Sequence, residues 1–458
     1  MAKYKAYPEY KDSGVEWLGE VPNHWKTISI SRLFSRVKRT GYTEKELLSV
    51  YRDYGVIPKS SRDDNNNKPS EDLSPYQLVQ PNDLVMNKMK AWQGSIAISE
   101  YEGIVSPAYF VYQPNNSLFE LAHPKYVHYL LRNPIYVTQY LSRSKGIRVN
   151  QWDLDPDEFR NIEILLPSKV EQEKIYSFLD HETAKIDNLI EKQQQLIELL
   201  KEKRQAVISH AVTKGLNPDV PMKDSCVEWL GDVPAHWTVT KVKNVCYLID
   251  GDRGVNYPNE SDYVDNGIPF FSSKNITDFE LTTNNLSYIS TAKFNSLGRG
   301  KLKHNDLIIT VRGTIGHVAK FDRNIIGCDT GFINAQMMII RPKEMLTQFI
   351  LLVSESLYWK QQLNVSAYGS TVKQLSNEVI GNFKICLPPA EELIAIENYL
   401  DSLNKMYSKL IGNVLHQIEL MQERRTALIS AAVTGKIDVR DWVAPDAQGI
   451  EKSQEAIA

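Results

Sequence analysis

Acid-free stretches rich in positive charge are the part of this sequence best suited to a recognisable chemistry. No Asp or Glu occurs between residues 121 and 152, where Lys and Arg alternate with Tyr. In the second half of the chain, residues 281–305 and 356–377 are likewise free of acidic residues. Lys and Arg neutralise phosphates, and Arg, Lys, Asn and Gln hydrogen-bond to base edges. One such stretch is more often a solvated surface, but its occurrence in both halves favours DNA binding.

The candidate DNA contacts are taken from these stretches and from residues at strand-to-turn positions that could present such contacts. In the first half they are Lys88, Lys90, Trp92, Gln93, Arg143, Lys145, Arg148, Asn150 and Gln151. In the second half they are Lys274, Arg299, Lys301, Lys303, Arg312, Thr314, Lys373 and Gln374. Because the chain has 53 Lys and Arg against 56 Asp and Glu, with a net charge of -3, such a site depends on local segregation of charge.

Signatures of catalysis are absent from the sequence. There is no G-x-x-x-x-G-K-[ST] or G-x-G-x-x-G phosphate-binding loop, no H-E-x-x-H and no G-x-S-x-G. Asp83, followed by Lys88 and Lys90, lacks the second acidic ligand that a nuclease core needs. His24 and His236 each lie among aromatic and Pro residues, which favours a packing or capping role over catalysis. We therefore predict no catalytic residue and no metal site.

Composition places the chain among ordinary globular proteins. Its 458 residues, 42% of them hydrophobic, predict several domains with buried cores. The four Cys are widely separated and form no CxxC pair, which argues against a disulfide framework or structural zinc. Neither an apolar signal segment nor a membrane-length apolar run is present. These features favour a cytoplasmic location.

The chain contains two copies of one unit. Residues 12–25, DSGVEWLGEVPNHW, recur at 224–237 as DSCVEWLGDVPAHW, with three of fourteen positions changed. The segments 166–180 and 198–213 recur at 387–401 and 419–434. Between these ends the copies diverge, apart from an N-D-L-[VI] and a G-x-x-V-x-Q motif. A period this long requires a domain in each copy, so we expect one scaffold carrying two surfaces, with simple drift after duplication as the alternative.

Each copy ends in a long predicted helix, near residues 169–213 and 390–434. Ser168 with Glu171 forms a capping-box pattern, and Gly215 and Gly435 mark the C-termini. Apolar residues recur at spacings of three and four, which predicts a coiled-coil seam. Its predicted members are Ile186, Leu189, Gln193, Leu196, Leu200, Lys203 and Val207 in the first helix, and Leu410, Val414, Gln417, Met421, Arg424 and Leu428 in the second. Such helices are unstable alone, so we expect an antiparallel coiled coil between them, with pairing to a second chain as the alternative.

The regions between these ends are β-rich. Short apolar runs such as 84–86, 95–98, 108–112, 307–311 and 337–340 alternate with turn residues. The predicted fold class is α+β: two mixed α/β domains joined by two long helices that form an antiparallel coiled coil, with a pseudo-twofold internal repeat.

The repeated D-S-x-V-E-W-L-G-x-V-P-x-H-W element, the N-D-L-[VI] and G-x-x-V-x-Q motifs and the Leu-Pro-initiated helices ending in A-V-T resemble the specificity (S) subunit of type I restriction-modification enzymes. The resemblance covers the whole chain. It implies target recognition domains at 1–165 and 216–386 and helical spacers at 166–215 and 387–435. The remaining residues, 436–458, form a tail that we expect to be disordered, on the basis of the sequence beyond Ala444.

The resemblance also implies a function and a set of partners. Each target recognition domain would read one half of a bipartite site in double-stranded DNA, and the helices would set the gap. Two methyltransferase (M) subunits would dock on the helical regions, and restriction (R) subunits would join them. The chain itself would bind no cofactor, while S-adenosylmethionine, ATP and Mg would belong to the partner subunits.

Two other functions are weighed against this one. A stand-alone DNA-modifying enzyme would need a cofactor motif, which the sequence lacks. A coiled-coil scaffold without nucleic-acid binding would not need two divergent domains with acid-free basic stretches.

Overall fold

A computed structural model describes residues 4–52, 54–62, 68–146, 152–254, 257–277, 279–367 and 374–444. The chain forms two compact units, one from residues 1–193 with 416–458 and the other from residues 194–415. Each unit therefore contains one β-rich region and half of each long helix. The predicted domain boundaries, which assign the helices to separate spacers, remain predictions. Within the described residues, no helix is both long and apolar enough to cross a membrane.

The first unit is built around a four-stranded antiparallel sheet of order β4-β11-β8-β9. The strands of its β-rich region are β1 (Tyr10–Asp12), β2 (Glu20–Pro22), β3 (Lys26–Ser29), β4 (Phe34–Val37), β5 (Leu48–Tyr51), β6 (Gly55–Pro58), β7 (Gln77–Val79), β8 (Leu84–Asn87), β9 (Ile96–Ile98), β10 (Gly103–Val105), β11 (Tyr109–Pro114), β12 (Ser144–Lys145), β13 (Asp153–Leu154) and β14 (Glu163–Leu166). The helices are α1 (Ile30–Leu33), α2 (Asn116–Leu121), α3 (Pro124–Leu131), α4 (Pro134–Ser142), α5 (Pro156–Arg160) and α6 (Lys169–Lys214).

The second unit repeats this sheet with order β18-β27-β24-β25 and adds another four-stranded sheet, β19-β23-β20-β26. Its strands are β15 (Met222–Asp224), β16 (Asp232–Pro234), β17 (Thr238–Lys241), β18 (Cys246–Asp250), β19 (Tyr263–Val264), β20 (Ile268–Phe271), β21 (Ile276–Thr277), β22 (Glu280–Leu281), β23 (Ser287–Ile289), β24 (Leu307–Thr310), β25 (Val318–Lys320), β26 (Phe332–Ile333), β27 (Met337–Pro342) and β28 (Lys384–Leu387). Its helices are α7 (Val242–Val245), α8 (Thr291–Ser296), α9 (Arg323–Ile326), α10 (Thr347–Glu355), α11 (Leu357–Ala367), α12 (Asn377–Gly381) and α13 (Ala390–Val433).

The repeated sheet is buried on both faces, which explains the continuous apolar runs of its central strands. On β8, Leu84 and Met86 belong to the main core of the first unit, whereas Val85 belongs to a separate core on the opposite face. On β24, Leu307 and Ile308 divide between two cores in the same way. Because successive side chains of a strand point to opposite faces, a strand between two cores must be apolar at every position.

The long helices pair in opposite directions. In the first unit the beginning of α6 and the end of α13 share one core, and in the second unit the end of α6 and the beginning of α13 share another. Gly215 and Gly435, which follow the helices, have φ of +78° and +75°, the left-handed conformation of a helix C-terminus. The predicted α+β fold with an antiparallel pair of long helices is confirmed.

The predicted register of the coiled-coil seam is wrong at alternate positions. Leu189 and Leu196 are 47% and 40% exposed, and Lys203 is also exposed. Leu410, Gln417 and Arg424 of α13 are exposed as well, while their neighbours point inward. The buried and half-buried seam consists of Ile186, Ile190, Gln193, Ile197, Leu200, Arg204 and Ile208 on α6, and of Ile411, Val414, Ile418, Met421, Arg425 and Leu428 on α13.

The beginning of the tail is ordered, contrary to prediction. Ile437 and Val439 are 3% and 2% exposed in the core of the first unit, and Trp442 contacts Phe178 edge to face at 5.6 Å between ring centroids. Burial of these apolar side chains holds the segment as far as residue 444. Residues 445–458 lie outside the described part of the chain.

Candidate nucleic-acid interface

The end of β8 and the end of the first acid-free stretch come together in the first unit. The Nζ atom of Lys88 lies 3.5 Å from Oδ2 of Asp153, and the ring of Trp92 contacts that of Trp152 edge to face at 5.0 Å between centroids. Lys145 pairs with Asp153 in the β12–β13 ladder. The fold thus joins candidate contacts that are more than fifty residues apart in sequence.

A short turn presents the remaining candidates of this group. Trp92 donates its Nε1 hydrogen to the carbonyl of Met89 at 2.9 Å, which fixes the indole. Lys90 and Gln93 are exposed on the same turn, and the Gln93 amide donates to the Lys90 carbonyl at 3.0 Å. The exposed side chains are free to meet phosphates or base edges while the backbone of the turn is held.

Arg143 is fixed against its own helix. Its Nη1 atom donates to the carbonyl of Gln139 at 3.3 Å and to the side-chain oxygen of the same residue, and Arg143 is half-buried. Its role in DNA binding remains a prediction. Arg148, Asn150 and Gln151 lie outside the described residues.

The tyrosines of this stretch form core, not surface. Tyr126, Tyr136 and Tyr140 are fully buried, and burial raises the pKa of each of them. The hydroxyl of Tyr126 donates to the Leu165 carbonyl at 3.0 Å, so it needs no solvent. Within the basic stretch, these three rings therefore belong to the core and not to a DNA-contacting surface.

In the second unit Arg312 and Gln374 lie side by side. The two residues form an isolated antiparallel bridge, and the amide of Leu375 donates to the Val311 carbonyl at 3.0 Å. Thr314, exposed on the turn that follows β24, accepts a hydrogen bond from Thr310 Oγ1 at its carbonyl. This turn occupies the place that residues 88–93 have after β8. Lys373 lies outside the described residues.

The other candidates of the second unit precede β24. Lys274 lies on a 3-10 turn, Arg299 and Lys303 are exposed, and the Lys301 Nζ atom lies 4.9 Å from the centroid of the Phe294 ring. They belong to the segment between β20 and β24 rather than to the turn of Arg312. Their DNA contacts remain predictions.

The N-D-L-[VI] motif closes the turn that leads into the central strand of each repeated sheet, a role that sequence reasoning missed. Asn82 adopts a left-handed conformation with φ of +72°, and the carboxylate of the buried Asp83 accepts from the Gln80 amide at 2.8 Å. Two guanidinium nitrogens of Arg39 also donate to this carboxylate, at 2.7 and 3.2 Å. A buried carboxylate requires such partners, so the motif is structural.

In the second copy, a different arginine neutralises the equivalent buried aspartate, Asp306. Asp306 accepts from the Lys303 amide at 2.7 Å and from Arg341 at 2.7 Å for both contacts. Arg341 comes from β27, whose counterpart β11 has Gln113 at the matching position next to Pro. The arginine that neutralises the carboxylate thus follows β4 in the first copy and lies on β27 in the second, whereas the turn is the same in both.

The repeated His-Trp pair holds the beginning of each long helix. In the first unit the buried carboxylate of Glu171 accepts hydrogen bonds from Tyr7 at 2.6 Å and Trp25 Nε1 at 3.0 Å, and His24 Nε2 lies at 2.7 Å. Glu171 therefore does not complete the predicted capping box, although its own amide donates to Ser168 Oγ at 3.3 Å.

The second unit repeats this contact with fewer donors. His236 Nε2 lies 2.7 Å from the Glu392 carboxylate, and Trp237 Nε1 donates to it at 3.0 Å. In both copies the histidine thus contacts the glutamate of a helix N-terminus, which supports the packing role predicted for His24 and His236. Among the described residues, no group of three His, Cys, Asp or Glu side chains could hold a metal ion.

Residues 22–199 and 234–420 both match the family described as the type I restriction modification DNA specificity domain. The chain belongs to this family. The match covers both copies of the repeat and most of the chain, and it confirms the prediction of a DNA-recognition subunit of a type I restriction-modification system.

Relatives of this family align over nearly the full length of the chain. The type I restriction enzyme MjaVIII specificity subunit of Methanocaldococcus jannaschii is 24% identical, over 92% of this chain and 95% of the relative. The EcoKI specificity subunit of Escherichia coli K12 is 21% identical, over 96% of this chain and 95% of the relative. A solved chain from a study of complex assembly and conformational transition of the type I restriction-modification system shares the fold, with a TM-score of 0.64, 17% identity and coverage of 91% of this chain and 99% of that chain.

Proposed function

We propose that this chain is the non-catalytic subunit that selects the DNA sequence, with each β-rich domain reading one half of a bipartite site in double-stranded DNA. The observation that carries this proposal is the repeated sheet. In the first sheet, β8 is followed by the turn of residues 88–93. In the second sheet, the corresponding strand β24 is followed by the turn of residues 312–314, which carries different side chains. A shared scaffold with two different reading surfaces is what two unequal half-sites require.

The chemistry would come from partner subunits. Two methyltransferase subunits would dock on the two equivalent helical regions, because a pseudo-twofold repeat offers two similar surfaces. Restriction subunits would join them, and S-adenosylmethionine, ATP and Mg would be bound by these partners. A complex of this kind acts on chromosomal and incoming DNA in the cytoplasm.

Partner dependence tests this proposal. The purified chain, its methyltransferase partner and the reconstituted complex are each incubated with unmethylated genomic DNA and labelled S-adenosylmethionine. We expect methyl transfer at defined sites from the complex and none from the chain alone. Methyl transfer by the chain alone would identify an enzyme. If the methyltransferase partner transferred methyl groups to the same sites equally well with and without this chain, the chain would be only a scaffold.

We also propose that the paired helices set the gap between half-sites. Both helices pass from one unit into the other, α6 after Gln193 and α13 after Leu415. Insertion of four residues at both points adds about one helical turn, or about 6 Å, and so nearly preserves the seam. This length is close to two base-pair steps of about 3.4 Å each.

The double insertion should therefore lengthen the gap between methylated half-sites by about two base pairs, measured by single-molecule sequencing of methylated DNA. The control is the insertion in α6 alone, which leaves α13 too short to follow and should lower stability instead of giving a clean shift. A double insertion that modifies DNA with the original gap would show that the helices do not measure this distance.

A further inference from the structure

The outer face of α13 carries an apolar stripe in the second unit. Its members are Tyr399, Met406 and Leu410, which are between 41% and 50% exposed. Their positions, seven and then four residues apart, place the three side chains within about 40° of one another around the helix axis. Exposed apolar side chains that share one helix face mark a surface that another protein segment covers.

The corresponding face of α6 is covered at its beginning in the first unit. The repeat aligns the two long helices with a constant offset, which places Phe178 at the position of Tyr399. Phe178 is fully buried, and its ring contacts those of Trp442 and Tyr4 edge to face at 5.6 and 5.3 Å between centroids. The Nζ atom of Lys174 donates to the Trp442 carbonyl at 3.3 Å, which holds this segment on the helix. The tail of the chain therefore fills, in the first unit, a place that is exposed in the second.

The path of the chain explains this difference between the units. In the first unit the amide of Asp438 donates to the Lys5 carbonyl at 2.8 Å, so the segment before β1 and the segment after α13 lie side by side. In the second unit one segment, residues 215–221, connects α6 to β15. Leu216 of this segment, at the position of Tyr4, is itself exposed. The second unit thus leaves more of this face open to solvent.

The middle of the face differs in charge between the two helices. At the position of Met406 the first unit has Lys185, whose Nζ atom lies 3.2 Å from Oε1 of Glu182. Leu403 occupies the position of Glu182 in the second unit. An ion pair on α6 thus corresponds to two apolar side chains on α13, and the stripe is apolar along its length in the second unit.

We propose that the stripe of Tyr399, Met406 and Leu410 docks an apolar, aromatic-bearing segment of one methyltransferase subunit, so that the two methyltransferase subunits are held unequally. Trp442 indicates the chemistry of this occupant, because its indole ring covers the corresponding place in the first unit. The tail of a second copy is a poorer candidate, because it already packs against the core of its own first unit. The inference rests on the proposed docking of methyltransferase subunits and deepens it.

The test compares changes on the corresponding faces of the two helices. The double variant Tyr399→Ser/Met406→Ser removes two apolar side chains from the stripe, whereas Lys185→Ser/Leu189→Ser changes two exposed positions on the corresponding face of α6. Each full-length chain is titrated with the purified methyltransferase partner, and native mass spectrometry counts the subunits bound. We expect the stripe variant to bind one methyltransferase subunit with wild-type affinity and the other at least about tenfold more weakly. The α6 variant should bind both subunits with wild-type affinity.

Leu410→Ser provides a second stripe variant, with Leu189→Ser at the corresponding position as its control, and it decides the matter if the double variant fails to fold. If the stripe variants bind both methyltransferase subunits with wild-type affinity, or weaken both equally, the inference is wrong and the proposed function stands. If the wild-type chain binds no methyltransferase subunit, both are wrong. A wild-type dimer that the stripe variants dissociate would also overturn the inference, in favour of a second copy as the occupant.

Discussion

Replacing Glu171 with alanine is expected to lower the free energy of unfolding of the first unit by about 4 kcal/mol. The carboxylate is 4% exposed and accepts hydrogen bonds from Tyr7 and Trp25, both of which are buried. Removal of the carboxylate leaves two buried donors without their acceptor, the indole N–H of Trp25 and the hydroxyl of Tyr7. His24 contributes less, because its side chain is 45% exposed and solvent competes for its contact with the carboxylate.

The second copy supplies the matched control. Glu392 is 24% exposed and, in the described part of the chain, its carboxylate has hydrogen-bond contacts with His236 and Trp237, so Glu392→Ala should cost about half as much, on the order of 2 kcal/mol. The free energy of unfolding of both variants is measured by urea titration, with tryptophan fluorescence as the signal. Equal losses for the two variants would contradict the role assigned to the buried donors. If Glu171→Ala abolished DNA methylation without lowering stability, the result would instead favour a catalytic role for His24 and Glu171 over the packing role.

The sequence predicts the scaffold well because its signals are repeated or physically obligatory. The apolar runs at 84–86, 95–98, 108–112, 307–311 and 337–340 correspond to β8, β9, β11, β24 and β27. Because both faces of the sheet are buried, these strands must be apolar at successive positions. Both long helices begin shortly after Leu-Pro ends a strand and finish within two residues of a glycine, so their bounds follow from local residues.

The helix register could not be predicted in the same way. Leu189 and Ile190 are adjacent on α6, as are Leu196 and Ile197, so two apolar seams differ by a single residue. Both satisfy the heptad spacing, and local sequence does not distinguish them. The isoleucine seam faces inward because of the tertiary contacts that the rest of each unit makes with the helix, and these contacts cannot be read from the local sequence.

The candidate interface was predictable only in part. Charge segregation identified the turn of Lys88 and its neighbours, because charge is a local property of the sequence. The same reasoning could not place the tyrosines of the basic stretch, since a Tyr on a basic helix can belong to the core or to an interface.

Exchanging residues 26–160 for the corresponding domain of another family member should replace one half of the recognised site and keep the other half. These residues contain the first repeated sheet with its turn, whereas the second sheet and its turn lie entirely beyond residue 238. The exchange should also keep the gap, because it leaves α6 and α13 untouched. Exchange of residues 238–385 is the matched control and should change the opposite half-site.

The most direct measurement of this two-reader organisation is the map of methylated bases in cells that express the wild-type chain or either exchanged chain. We expect three bipartite sites of one common gap, in which each exchange alters its own half-site and retains the other one unchanged. If either exchange altered both half-sites at once, the two domains would not be independent readers of DNA.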